Sequence, residues 1–220
     1  MIDIFTDSKF CHLYDAVPRP QPSDYATEYF QGKQNGTFVD VGAADGITWS
    51  NSLTFELNYN WKGLCIEPHP EFFKKLQQAR QATCLQEAVS DTEETVNFVI
   101  VNGYAEMLSG LEKHYDTRHK ERITREVNEH QDNAYKIQLQ TKKLQHILDQ
   151  HNIDYIDYLS VDTEGAEMAI LKGIDWNKTY IDLISLEVNY ELEPVNDFMS
   201  NLGYKFLRKV CCDAFYSKVS

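Results

Sequence analysis

An α/β fold is what the 220-residue sequence predicts: a three-layer sandwich with helices on both faces of a mostly parallel sheet. Three observations carry this expectation. Short apolar, β-branched runs alternate along the chain with helical stretches of about ten residues, the pattern of strand and crossover-helix units. The last two apolar runs follow each other across a short turn, which adds an antiparallel tail. The length and a 42% hydrophobic fraction fit a single domain able to bury a substantial core.

Residues 1 to 22 lack sustained periodicity and end in Pro18, Pro20 and Pro22, which cannot continue a helix interior or a central strand, so they read as an extended lead-in. Ser23 can cap a short helix through Tyr25, Tyr29 and Phe30 that stops at Gly32. Residues 1–36 therefore form an N-terminal extension, and the domain proper spans 37–220. TFVDVG (37–42) is the first strand, followed by a helix from about Ser50 to Asn58, and GLCIE (63–67) is the second strand. Pro68 and Pro70 introduce the helix EFFKKLQQAR, with Phe72, Phe73, Leu76 and Ala79 at helical spacing. ATCLQEAVS reads as one third strand. TVNFVIVN (95–102) and KIQLQ (136–140) read as half-solvated strands that pair with each other or lie at a sheet edge. LQHILDQH is a helix, YIDYLSVD (155–162) a strand, AEMAILKG (166–173) a helix ended by Gly173, IDLISLEV (181–188) a strand and PVNDFMSNLG a helix. YKFLRKV and AFYSKV close the sheet as a hairpin. The irregular piece is 103–135, dense in charge and poor in large aliphatics, which reads as a solvated surface helix or loop and as the place for a lid or substrate loop.

The balance of 21 Lys and Arg against 34 Asp and Glu gives a net charge of -13, which disfavours nucleic acid and anionic membranes as partners. No apolar run is long enough to span a bilayer, and MIDIFTDSKF places Asp3, Asp7 and Lys9 where a signal peptide would need a basic start and an apolar stretch, so a cytoplasmic location is expected. Five cysteines without CxxC spacing point to reduced thiols.

Ligands of open α/β sheets bind at the carboxyl ends of the strands. There the first strand runs into Asp40-Val41-Gly42-Ala43-Ala44-Asp45-Gly46, a turn whose glycines allow close backbone approach to a ligand. Its G-x-x-x-G spacing is not the pyrophosphate fingerprint, which disfavours a dinucleotide. Glu67, ending the second strand, can accept hydrogen bonds from both ribose hydroxyls, and Ala88 leaves room for a flat adenine. Together these point to a nucleoside-containing cofactor.

FVDVGAADG, SNSLTFELNYNWKGLCIEPHPEFFKKL, LSGL, IDYLSVDTEGAEMAILKGIDW, LISLEVN and GYKFLRKVCCDAFYSK together resemble the FkbM family of S-adenosylmethionine-dependent methyltransferases, from about Thr37 to the C-terminus. The resemblance implies a Rossmann-like class I methyltransferase fold with a seven-stranded sheet, and methylation of hydroxyl groups on sugars or polyketides. It places Asp40, Gly42, Ala43 and Gly46 in the first cofactor motif, Glu67 with Pro68 at the ribose, Asn51 in the family's SNT-like motif, where Ser52 replaces the usual threonine, Ala88 beside adenine, and Ser109 and Asp162 towards the methionine end or the acceptor.

Methyl transfer from a sulfonium to an alcohol needs alignment, and a base or a metal helps. The candidates for a base are Asp162, Glu164, His114, His69 and Glu187 with Asn189; Asp162, Glu187 and Asn189 also form an oxygen-rich set suited to Mg²⁺. Glu164 and Gly165 equally well start the following helix, and Trp49 can cover the cofactor. The expected activity is O-methylation of a small hydroxylated acceptor, a sugar before a polyketide. A catalytically silent cofactor-binding subunit and an NAD-dependent oxidoreductase are the other readings.

Overall fold

The computed structural model describes residues 21–219. The expected extended lead-in lies almost wholly outside them. Its short helix is present as α1 (Pro22–Phe30), which starts at Pro22 instead of being capped by Ser23: the Gln21 amide donates to Asp24 at 2.9 Å, and Ser23 is buried inside the first turn.

The chain then alternates: β1 (Thr37–Val41), α2 (Leu53–Tyr59), β2 (Lys62–Ile66), α3 (Pro70–Ala79), β3 (Thr83–Leu85), β4 (Ala88–Val89), β5 (Thr95–Val101), β6 (Gly110–Leu111), α4 (Thr117–His130), β7 (Ala134–Lys142), α5 (Leu144–Gln150), β8 (Tyr155–Val161), α6 (Glu167–Lys172), β9 (Tyr180–Glu187), α7 (Glu193–Asn201), β10 (Tyr204–Val210) and β11 (Asp213–Lys218). Seven strands form the main sheet in the order β10-β11-β9-β8-β1-β2-β3. β9, β8, β1, β2 and β3 run parallel, and β11 and β10 join antiparallel, which is the expected tail.

Alternation along the strands produces the three layers. Phe38, Cys65 and Tyr158 point into a cluster with Ala26 and Phe30 of α1, Phe55 of α2 and Leu76 of α3. Val39, Val41, Leu64, Ile66, Leu159 and Val161 point the other way, onto Leu144, Ile147 and Leu148 of α5 and Ile170 and Leu171 of α6.

The apolar segment ATCLQEAVS does not form one strand. It breaks at Gln86 and Glu87: β3 stays in the main sheet, while β4 joins β7, β5 and β6 in a second sheet of four strands. β5 and β7 pair antiparallel over their length. The charged stretch 103–135 is folded against this second sheet. α4 is capped by Asp116, whose side chain accepts from the Arg118 amide at 2.8 Å, and Ile123 packs with Leu108 and Tyr115 on Val99 and Val101 of β5. Among the described residues no helix is long and apolar enough to cross a membrane.

The register sets up the site. Val41 pairs with Ile66 on one side and Val161 on the other; Val161 pairs with Leu186, and Leu186 with Ala214. One step further along each strand, the sheet's lip therefore carries Glu67, Gly42, Asp162, Glu187 and Asp213 in a row. The chain leaves β1 towards β2 and later returns on its other side as β8, so the strand order reverses at the middle of this row.

Candidate active site

Above the lip lies a cavity of about 840 Å³, lined on the sheet side by all five residues of the row. The insert forms its opposite wall through Tyr104, Met107, Leu108, Ser109, Arg122 and Glu126. Of the residues marked by the sequence, Gly42, Asn51, Glu67, Pro68, Ala88, Ser109, Asp162, Glu164, Glu187 and Asn189 line this space. Asp40, Ala43, Gly46, His69 and His114 do not.

Asp40 sits on the opposite face of β1 from Val39 and Val41, so strand parity turns it away from the cavity. It is 3% exposed and accepts a hydrogen bond from the Ser52 hydroxyl. That hydroxyl also receives Arg80 Nη2 at 3.0 Å. Arg80 has no exposed side-chain surface; it pairs through Nε with Glu56 at 3.1 Å and through Nη1 with Ser50 Oγ at 3.2 Å and the Gly46 carbonyl at 3.3 Å. Asp40 and Gly46 thus belong to a buried polar network beneath the glycine turn. A Cβ on Gly46, where φ is +80°, would stand 2.8 Å from Arg80 Cγ and 2.6 Å from Leu76 Cδ1. Sequence reasoning missed Arg80 because a basic residue closing a helix ordinarily reads as solvated.

Gly42 has the opposite role. At φ +88°, it lets the chain pass so close to β8 that a Cβ would lie 1.7 Å from the Asp162 carbonyl oxygen. Its missing side chain also leaves the floor of the cavity open between Glu67 and Asp162. Ala44, at φ +46°, turns its amide onto Glu67 Oε2 at 2.9 Å, and the His69 amide reaches Oε1 at 2.7 Å. Burial pushes the Glu67 carboxyl up to about 7, against these two amides, which hold it down. Each oxygen keeps a further lone pair for a ligand hydroxyl. Asn51 is fixed from below by donating to Ser160 Oγ at 3.1 Å.

The other end of the row is crowded with acid. Asp162 is raised well above the ordinary carboxylate range by burial and by Asp213, Glu164 and Glu167 nearby. Burial and Asp162 do the same to Glu187, and burial lifts Asp213 to about 7. Glu164, in the left-handed region at φ +58°, is pushed up to about 9 by burial and by Glu187. It faces His119 Nδ1 and Asn189 Nδ2, each 3.5 Å away. The start of α6 is not organised by Glu164: Glu167 folds back to accept from the Thr163 amide at 2.9 Å, the Thr163 hydroxyl at 3.0 Å and the Gly165 amide at 3.1 Å.

The histidines proposed as bases are engaged elsewhere. His114 Nε2 meets Ser90 Oγ at 2.9 Å outside the cavity, with burial lowering its proton affinity. His69 caps α3, its Nδ1 accepting from Glu71 and Phe72 amides at 3.2 and 3.4 Å. Ser109 lines the cavity, but its hydroxyl takes the Val101 amide at 3.0 Å and donates to the Glu106 carbonyl at 2.7 Å. The expected Mg²⁺ set, Asp162, Glu187 and Asn189, shares the acidic end, with Glu187 in contact with both Asp162 and Asn189. Among the described residues, Glu126, Glu129 and His130 alone bring three acidic, histidine or cysteine ligand atoms within 4.8 Å of one another, so the acids of the lip do not form a three-carboxylate metal site.

The cavity does fit a nucleoside cofactor, with an open glycine floor and a buried carboxylate that keeps lone pairs for ligand hydroxyls. The profile described as the Methyltransferase FkbM domain matches residues 40–206. Among solved structures, the chain is similar to the methyltransferase FkbM from Methylobacillus flagellatus, with a TM-score of 0.52 and 16% identity over 93% of this chain and 49% of that one. It thus spans about half the length of that protein. Precorrin-6y C5,15-methyltransferase from Geobacter metallireducens follows with a TM-score of 0.49 and 11% identity over 96% of both chains. No curated protein matches at the sequence level. The chain belongs to the FkbM methyltransferase family, and its sheet is that of a class I methyltransferase.

Proposed function

We propose that this FkbM-family protein transfers a methyl group from S-adenosylmethionine to a hydroxyl of a small polar acceptor, a sugar before a polyketide. The observation that carries the reading is the row Glu67, Gly42, Asp162 across the strand-order reversal, facing one cavity. Bound there, S-adenosylmethionine supplies an electrophilic methyl carbon on a sulfonium. Glu67, with Pro68 beside it, would hold the ribose; Gly42 and Ala44 give the turn that lets the methionine arm approach; Ala88 offers a small face to adenine. Asn51 is held in place for either ligand by Ser160.

The acid–base assignment follows from the environments. Glu164, at about 9, is protonated at neutral pH and is a hydrogen-bond donor there rather than a base. Asp162 is adjacent to Gly42 on the lip, where the transferable methyl would lie, and a sulfonium beside it would offset the burial and neighbouring acids that hold its proton, leaving it ionised. It is therefore the residue assigned to take the hydroxyl proton. Most of the rate enhancement would come from aligning the acceptor oxygen with the methyl carbon. On the insert wall, Arg122 and Glu126 offer polar contacts to a hydroxylated acceptor beside the apolar Met107 and Leu108.

Isothermal titration with S-adenosylhomocysteine, followed by incubation with deuteromethyl-labelled S-adenosylmethionine and a panel of hydroxylated acceptors, tests this. Saturable binding and labelled methyl on oxygen are expected. Binding without transfer to any acceptor would leave a silent cofactor-binding subunit, and no binding by the folded protein would remove the reading.

A further inference from the structure

The acidic end of the cavity contains more carboxylate than a methyl transfer to a neutral hydroxyl requires. Glu187 and Asp213 stand opposite each other in the β9–β11 pairing and both line the cavity. Asp213 is 2% exposed, yet its Oδ1, like Oε2 of Glu187, is buried without a hydrogen-bond partner. Buried carboxylate oxygens left unpaired are costly, and two of them side by side on a cavity wall mark a place where a ligand supplies the missing donors.

Position along the lip separates these two from the cofactor. Neighbouring strands lie about 4.8 Å apart, so Asp162 is about 10 Å from Glu67, Glu187 about 14 Å and Asp213 about 19 Å. With the ribose on Glu67, the transferable methyl is only about five single bonds away, roughly 6 Å. The cofactor's own ammonium, at the end of its methionine arm, lies roughly 10 Å from the ribose hydroxyls and so reaches about as far as Asp162; Glu187 and Asp213 lie beyond it, on the acceptor's side. Cation chemistry is indicated by the sign of the groups: Asp162, Glu164, Glu187 and Asp213 all line this end. Of the nearby cations, Lys209 donates to the Val188 carbonyl at 2.7 Å and holds the Asp213 carboxyl down only in part, and Arg122, at the insert wall, acts on Glu164. Among the described residues no three of these carboxylates bring oxygens within 4.8 Å of one another, so they do not make a three-carboxylate metal site, while an alkylammonium with three divergent N–H donors can reach oxygens on different strands. Burial and mutual repulsion hold protons on these acids, and a cation among them relieves both.

We propose that the acceptor carries an ammonium group, as an amino sugar does, seated between Glu187 and Asp213 with its target hydroxyl turned back towards Asp162. This rests on the methyltransferase reading for the direction of the acceptor, and on the unpaired carboxylates for its charge. Anionic acceptors such as sugar phosphates or uronates gain nothing here, since they would drive these acids further towards their neutral form instead of drawing their protons off.

The experiment measures binding of glucosamine, N-acetylglucosamine, glucose and MgCl₂ to the full chain at pH 7, with and without saturating S-adenosylhomocysteine, by ligand-observed NMR titration. Glucosamine is expected to bind at least tenfold tighter than glucose and N-acetylglucosamine, and Glu187→Gln, a substitution of equal size, should remove most of that preference. Equal binding of the three sugars overturns the proposal, as does a preference that survives in both Glu187→Gln and Asp213→Asn. Displacement of glucosamine by Mg²⁺ at equimolar concentration would transfer the site to a metal and overturn it too. Failure of S-adenosylhomocysteine to bind, with the glucosamine preference intact, would instead fault the cofactor reading and leave the cation site standing.

Discussion

The two ends of the lip treat buried carboxylates in opposite ways. Glu67 is held by two backbone amides at 2.9 and 2.7 Å, and the Asp40 carboxylate beneath it is bonded by Ser52 and faces Arg80. Asp162, Glu187 and Asp213 have one another for neighbours, and two of their oxygens have no partner. At the first end the carboxylates are bonded from the protein before any ligand arrives, and so they can be held rigid. The second end is incomplete by itself. A site of this kind fixes its cofactor at the satisfied end and reads its acceptor at the unsatisfied one.

The largest effect separating the two ends is expected from Arg80→Met. It strands Glu56 and Asp40 as buried charges and should cost about 3–5 kcal/mol in urea unfolding. A loss below about 1 kcal/mol would show that the scaffold end is not held by this network. Glu67→Ala comes next: S-adenosylhomocysteine affinity should fall by about 1–3 kcal/mol in isothermal titration. Unchanged affinity would take the ribose away from this residue.

A pH series sharpens the contrast. Asp213, near 7 in the folded protein against an ordinary value of 3.8, holds its proton in the folded state while the unfolded chain releases it. Its contribution to stability is therefore greatest at acidic pH, falls between about pH 4 and pH 7, and is level above that. Asp213→Asn, which cannot titrate, should flatten that part of the melting-temperature profile relative to wild type; parallel profiles would show that the acid is relaxed by contacts of its own. The smallest effect is expected from His114→Asn. With its ring turned to Ser90 outside the cavity, methyl-transfer rates should stay within about twofold, and a loss of a hundredfold would return His114 to the role of base.

Much of this was legible in the sequence, because strand and helix periods are local. The alternation from Thr37 to Lys218, the antiparallel tail and the glycine turn with Glu67 all follow from residues near one another in the chain. The break of ATCLQEAVS at Gln86 and Glu87 was not legible, since apolar β-formers on both sides conceal a change of sheet. Asp40 was misplaced although the signal existed: between Val39 and Val41, both facing α5 and α6, parity alone turns it the other way. Arg80 and Asp213 were missed for a different reason. What makes each important is a partner or a gap supplied by distant strands, and no spacing within the chain encodes it.

A structure of the protein with S-adenosylhomocysteine tests the central claim most directly. The ribose hydroxyls are expected within hydrogen-bonding distance of Glu67, with the sulfur above Gly42 facing Asp162 and with Glu187 and Asp213 left uncovered. A cofactor lying outside the cavity, or one whose own amino group fills the space between Glu187 and Asp213, would contradict the division of the lip into a cofactor end and an acceptor end.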